Sequence, residues 1–294
     1  MDTKNLPDFD ALWDYGNPAE TEAAFRKILA EVGPFAPEGY VIELMTQIAR
    51  TQGLQRKFKE AHDTLDEVGP RAIGAGGRCL VRYYLERGRV RNSSGDKKGA
   101  GEEFAPAWEL GKEIGEDGYA VDAAHMVAIV VSGDEALRWN HKALDLASTS
   151  TMPSARKWRK SLHNNIGWTY FGMGDFDTAK LQFEKSRECG EENGDAEAER
   201  IARWCIAKTL RVQGHVEDAL EMQLAQKAEL EKDGREGGFV FEELAECLNA
   251  LGRIEEAKPY FVKAFEALSQ DPWIAEGEPD RIERLKDLAG AELP

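Results

Sequence analysis

Apolar and small residues recur three and four positions apart through nearly the whole chain. Gly, Pro, Asn and Asp punctuate the runs, which predicts amphipathic helices joined by short turns. The clearest block lies between Ser161 and Glu192 and reads Asn165-Ile166-Gly167-Trp168-Thr169-Tyr170, then Gly174-Asp175-Phe176, then Ala179, Phe183 and Ser186. Small residues at Gly167 and Ala179 let two helices approach closely, and Tyr170 and Phe183 fill the space between them. Gly174 ends the first helix, where a left-handed residue costs glycine little. The block therefore predicts a helix-turn-helix hairpin.

The same template slides along the chain. Its first helix carries a small residue at Ala49, Gly88, Ala124, Gly167, Ala207 and Ala245. Twelve positions later the second helix has Ala61, Ala100, Ala136, Ala179, Ala219 and Ala257, with turn glycines at Gly95, Gly133, Gly174, Gly214 and Gly252. The units follow one another at 39, 36, 43, 40 and 38 residues. This pattern resembles the tetratricopeptide repeat, whose small-residue and aromatic signature is met by Gly167, Tyr170, Ala179 and Phe183, and again by Ala245, Gly252, Ala257, Phe261 and Ala264. A period longer than the usual value of about 34 adds roughly one helical turn per unit. Two units depart from the pattern. Gly133 lies three residues before Ala136, which shortens a turn, and Leu210 and Gln223 stand where aromatics are expected. The chain also resembles a group of uncharacterised bacterial tetratricopeptide proteins of this size and composition, in runs such as Phe9-Asp10-Ala11-Leu12-Trp13-Asp14, Asp122-Ala123-Ala124-His125-Met126 and Asp271-Pro272-Trp273.

The expected fold is all-α: a right-handed α-solenoid of about six such hairpins over residues 38–270, with an N-terminal capping half-hairpin in 1–37 and a C-terminal capping helix in 271–294. Phe25, Ile28 and Leu29 mark the first cap helix. Ile282, Leu285 and Leu288 mark the last, which starts at Glu278-Pro279-Asp280. Turn residues at Gly33-Pro34, Gly69-Pro70, Met152-Pro153, Asn193-Gly194, Asp233-Gly234 and Asp271-Pro272 predict the links between units, and Gly74-Ala75-Gly76-Gly77 a flexible loop. Pro106 and Pro259 fall inside second helices and are expected to kink them.

Composition narrows the function classes. The 294 residues carry 38 basic and 54 acidic side chains, a net charge of −16, which speaks against nucleic-acid binding driven by overall charge. The longest apolar run, Met126–Val131, is far short of the roughly 20 residues of a membrane span. The first residues have neither a basic nor an apolar signal region, so the expected location is cytoplasmic. Cys79, Cys189, Cys205 and Cys247 lack metal or disulfide spacing and read as buried, neutral thiols. No cofactor is implied. The segment Gly95-Asp96-Lys97-Lys98-Gly99-Ala100-Gly101 has the wrong order for a phosphate loop, and HExxH and GxSxG are absent.

What remains is the face of the first helices, which lines the groove in stacked hairpins. Positions one after, three before and four after each small residue are expected to face it. The candidate ligand-binding set is Arg50, Arg82, Arg89, Asn92, His125, Asn164, Trp168, Trp204, Lys208 and Arg211. Cations, amides and aromatics suit an acidic peptide segment or another anion. Each has a second reading: Trp168 and Trp204 as packing between units, His125 as a ring held by Asp122, the cations as solvated partners of Glu. Charge is uneven along the chain, with twelve basic and six acidic residues from Arg50 to Lys98 but three and ten from Glu217 to Glu246. Arg156-Lys157-Trp158-Arg159-Lys160 adds a second basic cluster.

The expected function is a non-enzymatic scaffold that binds a protein or peptide segment in the groove. The alternative is a sensor that takes a small peptide or metabolite in a central pocket, and an enzyme using His125 with Asp122 ranks third. Relatives that grip acidic chaperone tails use a Lys/Asn clamp; here Val121, Asn165, Ile201 and Cys205 occupy the corresponding positions, so that partner is not implied.

Overall fold

A computed structural model describes residues 6–290. Among these every regular element is helical. The chain divides into two compact units, residues 1–162 and 163–294, with the division inside the helix Arg159–Gly172.

In the first unit a 3₁₀ turn, Asp10–Leu12, precedes α1 (Pro18–Val32). Three hairpins follow: α2 (Glu38–Leu54) with α3 (Phe58–Ala75), α4 (Gly77–Ser93) with α5 (Lys97–Glu113), and α6 (Asp117–Val130) with α7 (Gly133–Thr149). The unit closes with α8 (Pro153–Arg156) and the start of α9 (Arg159–Gly172). In the second, α9 pairs with α10 (Phe176–Asn193), α11 (Ala196–Val212) with α12 (Val216–Lys232), and α13 (Gly238–Ala250) with α14 (Ile254–Leu268). A short α15 (Pro272–Gly277) and α16 (Pro279–Ala289) end it. Leu285 of α16 is fully buried in the core that α13 and α14 form.

The template residues sit where hairpin packing needs them. All twelve small positions are buried. A Cβ on Gly88 would lie 2.3 Å from the Phe104 ring, and one on Gly167 would lie 2.5 Å from Phe183, so absence of a side chain there is what admits the aromatic of the second helix. Second helices start from a repeated device. Gly95 and Gly174 have φ of 96° and 80°, and the next residue, Asp96 or Asp175, accepts a hydrogen bond from the N–H of Gly99 or Thr178 as an N-cap. At the corresponding turn of the first hairpin Arg56 takes the left-handed conformation instead, at φ 62°.

Gly69-Pro70 does not form a link. Both residues lie inside α3, which continues to Ala75, and the chain turns at Gly76 and Gly77, each with φ near 60° (64° and 61°). The eighth residue of each second helix, four after its small residue, forms a column through the hairpins. Leu65, Phe104, Phe183 and Phe261 hold that column and are essentially inaccessible to solvent. Asn140 and Gln223 hold it in the two irregular units, and there the column breaks down: Gln223 is fully buried with neither amide atom hydrogen-bonded, and Asn140 leaves its Oδ1 without a partner. Burying an unbonded amide costs about 1–3 kcal/mol. Gln223→Leu, which restores the residue type of the first hairpin, is therefore expected to raise unfolding free energy by about 1–2 kcal/mol. Urea denaturation with circular dichroism measures it, and a loss of stability would contradict this reading of the column.

Candidate functional site

Sequence spacing in the first unit builds a charged cleft from the first helices. Arg50 and Arg89 each follow a small template residue and are 39 positions apart; Gln47 and Glu86 are 39 apart, and Asp122 follows Glu86 by 36. One repeat thus sets a cation beside the acid of the next. Arg50 on α2 reaches Glu86 on α4 at 3.2 Å, and Glu86 also takes Arg89 at 2.7 Å. Arg89 crosses to Asp122 on α6 at 2.5 Å. A second chain runs beside it: Glu43 of α2 accepts from Arg78 at 3.0 Å and from Arg82 at 3.2 Å.

The cleft that these residues line has a volume of 680 Å³. Tyr119 of α6 forms part of its wall, and the turn after α8 supplies Lys157 and Trp158. The remaining wall comes from outside the hairpins. Asp10 receives two 2.7 Å hydrogen bonds from the Arg82 guanidinium, Trp13 stacks on Tyr15 with ring centroids 4.7 Å apart, and Arg50 lies over both rings at 5.8 and 5.6 Å. Trp13 also donates from Nε1 to Gln47 Oε1 at 3.2 Å.

Burial opposes the charge of Arg89, but Asp122 and Glu86 more than compensate and hold it above its usual range. Arg82 behaves alike: burial lowers, Asp10 and Glu43 raise, and the net effect is upward. His125 is lowered, chiefly by burial, with Asp122 opposing and Arg89 reinforcing the shift, so it is neutral at pH 7. Its ring packs against Trp158 with centroids 4.9 Å apart, while the Asp122 carboxylate is taken by Arg89. Asn92 lines a smaller hollow of 170 Å³ with Arg50 and Arg89. Arg50, Arg82, Arg89, Asn92 and His125 therefore all lie at or beside the cleft region of the first unit.

The other five candidates belong to the second unit. Trp168, Trp204 and Phe239 form a ladder across α9, α11 and α13, with successive centroids 5.7 and 5.6 Å apart. Trp204 donates from Nε1 to the Phe239 carbonyl at 2.9 Å, and Lys208 Nζ stands 5.2 Å from the Trp204 ring centroid. Asn164 Oδ1 accepts from the Cys205 thiol at 3.4 Å. Arg211 is paired with Glu243 at 2.5 Å, and Glu243 is 1% exposed. The two tryptophans thus do pack between hairpins, and both remain partly accessible. All four cysteines are buried and reduced; burial raises Cys205 and Cys247 to about 12, which keeps them neutral thiols.

Sequence spacing overlooked the acids. The position two before each small residue (Glu86, Asp122, Glu243) faces the cations, whereas the position three before is core at Leu85 and Val121. A charge reading of that column alone would have found it. It also overlooked Arg78 and Tyr119, and Asp10 with Trp13 and Tyr15, whose entry into the cleft depends on how the N-terminal segment folds back and carries no periodic signal; Lys157 and Trp158 come from the basic cluster that the sequence marked outside the repeat positions. Among the described residues no three His, Cys, Asp or Glu converge as metal ligands do, and no helix is long and apolar enough to cross a membrane.

Residues 161–186 and 240–267 match the tetratricopeptide repeat family. No curated protein matches the sequence. Three solved structures share the fold at low identity. Apo RapI has a TM-score of 0.72 at 13% identity, over 99% of this chain and 82% of that one. NprR bound to its cognate peptide NprX has 0.64 at 15%, over 100% and 86%. A signal transduction ATPase with a tetratricopeptide repeat sensor, from Pyrococcus horikoshii, has 0.68 at 14% over 92% of this chain. The chain spans 44% of the length of that ATPase.

Proposed function

We propose that this chain, a tetratricopeptide repeat protein, is a non-enzymatic scaffold that binds a short acidic peptide segment in the cleft of its first unit. The observation that carries the reading is the content of that cleft: four arginines and a lysine converge with aromatic rings in a 680 Å³ hollow. Such a volume lies in the range of about 300–1,000 Å³ typical of small-ligand sites. Five cations and four carboxylates line it; without Asp10, which no hairpin contributes, the ratio is five to three. A carboxylate from a peptide finds the same guanidinium geometry that Asp10 uses. NprR, a structure of the same fold, holds a peptide, which is consistent with this use of the architecture.

Lys157 is the place to test the sign of the partner. It is exposed, lines the cleft and makes no ion pair among the described residues, so its replacement leaves the core and the arginine network untouched. A membrane-bound array of random nonapeptides, probed with the purified full chain, is expected to retain sequences enriched in Asp and Glu. Lys157→Glu is expected to weaken the retained peptides about tenfold, near 1.4 kcal/mol, as for loss of one charge-assisted contact and gain of a repulsive one. Retention of basic sequences, or unchanged affinity in the variant, contradicts the proposal.

A further inference from the structure

The N-terminal segment contacts the cleft in an unusual way. Backbone groups of residues 9–15 bond among themselves (Leu12 N–H to Phe9 O, Trp13 N–H to Asp10 O), to their immediate neighbours and, at Asp14, to Thr21 of α1, whose Oγ1 accepts from the Asp14 N–H at 3.2 Å and donates to the Asp14 carbonyl at 3.1 Å. No backbone group of the segment bonds to α2, α4 or α6. Its side chains alone attach it to those cleft helices. Phe9 anchors one end, buried edge-on against Phe25 and Tyr40, and the Asn17 cap of α1 fixes the other. Between these anchors the 3₁₀ turn contributes no buried residue, and Asp10 is half exposed although it holds the almost inaccessible Arg82.

The segment also acts as a partition. Asp10 and Arg78 line the 680 Å³ cleft and, equally, a 360 Å³ hollow formed with Pro7, Tyr40 and Glu43. With Asp10 lifted away, the two hollows share the guanidinium row of α4 as one floor.

We infer that residues 9–15 are an internal ligand. The segment seats an acid on Arg82 and, three residues later, a tryptophan beside Arg50 and Gln47. A partner peptide with an Asp or Glu followed three positions on by an aromatic residue takes the cleft by displacing it. This inference rests on the peptide-binding reading above and adds to it both the pattern that the site selects and a brake that the chain itself supplies. Displacement exchanges one Arg82–carboxylate pair for another and one Trp contact for another, while Phe9 stays anchored. The exchange is thus nearly balanced, and the outcome is set by peptide concentration and by contacts outside the segment.

The test uses the full chain and a fluorescein-labelled peptide of residues 6–15 as the probe, followed by fluorescence anisotropy. Two opened variants are measured, Asp10→Ala alone and Asp10→Ala with Trp13→Ala; the first leaves Arg82 its pair with Glu43 and adds no like charge beside it, so it keeps the test valid if the second fails to fold. The probe is expected to bind either opened variant at least tenfold tighter than the wild type, and a probe carrying Asp10→Lys is expected to bind neither. Equal affinity for wild type and opened variants, or no binding to the folded opened variants, overturns the internal-ligand inference. If array-selected acidic peptides still bind wild type and opened variants equally, the peptide-binding reading stands and only the brake is lost; if they bind none of these chains, the peptide-binding reading falls as well.

Discussion

Arg89→Ala is expected to destabilise the fold by about 3 kcal/mol, because it strands a buried charge. Arg89 is the junction of the first unit's network, hydrogen-bonded to Glu86 on its own helix and to Asp122 on α6. Glu86 would keep Arg50 at 3.2 Å, but Asp122, 13% exposed, would keep no guanidinium. The loss therefore falls mainly on one carboxylate. Pairing the change with Asp122→Asn removes that charge and should recover more than half of the deficit in a double-mutant cycle read by urea denaturation. Arg89→Lys should recover less, since an ammonium lacks the planar fork that spans two carboxylates. An Arg89→Ala deficit under 1 kcal/mol would show that the network is solvated and contributes little. The same geometry makes Arg89→Glu unsuitable as a probe of ligand binding: it would place a third acid beside Glu86 and Asp122 and unsettle the hairpins. Lys157, free of such duties, separates binding from folding.

The fold was legible because its determinants are local and periodic. Gly88 and Gly167 are small since a phenylalanine ring enters their space, and Gly95-Asp96 and Gly174-Asp175 stop one helix and cap the next. These are near-neighbour demands repeated at each unit, so a template finds them. Gly69-Pro70 misleads for the converse reason: two turn-favouring residues lie within a helix whose apolar face, Leu65, Val68 and Ala72, continues through them into the core. Burial of that face outweighs the local preference, and the glycine gives room to the Tyr83 side chain, whose hydroxyl would lie 2.8 Å from a Cβ there.

The candidate site was only partly legible. Choosing groove positions by their place in the repeat located the cations Arg50, Arg82 and Arg89, but a one-column error hid Glu86 and Asp122, and Glu43 lies a full turn further back. An uneven tally of basic and acidic residues along the chain does not register that Glu43, Glu86 and Asp122 sit among the arginines. Net positive charge in sequence became a nearly balanced row in space. What distinguishes the cleft is therefore the arrangement of its guanidinium groups and the single carboxylate, Asp10, that arrives from outside the repeats.

Arg211→Ala is expected to destabilise the second unit by an amount that grows with pH. Its partner Glu243 is 1% exposed, and burial raises the carboxyl above its ordinary value even though Arg211 and Lys208 pull it down. A raised carboxyl means that the folded state holds its proton more tightly than the unfolded chain, so at this site low pH favours folding and the advantage disappears as pH rises through the folded value. Removing Arg211 takes away the main opposing influence and raises the carboxyl further. Below the folded value of the wild type Glu243 is protonated in both proteins, and the variant loses only the packing of the arginine stem. Above it the wild type gains an ion pair while the variant must bury an unpaired carboxylate or hold a proton against solvent, and the deficit widens by about 1.4 kcal/mol per pH unit until the variant also ionises. At neutral pH the loss should reach about 3–5 kcal/mol, as for other buried pairs deprived of one partner. Urea denaturation of both proteins at pH 5.0 and 7.5 reads the slope. A deficit equal at the two pH values would mean that Glu243 keeps its ordinary ionisation without Arg211, and the Glu243→Gln, Arg211→Ala double variant, which has nothing to titrate at this site, should show a deficit with no such slope.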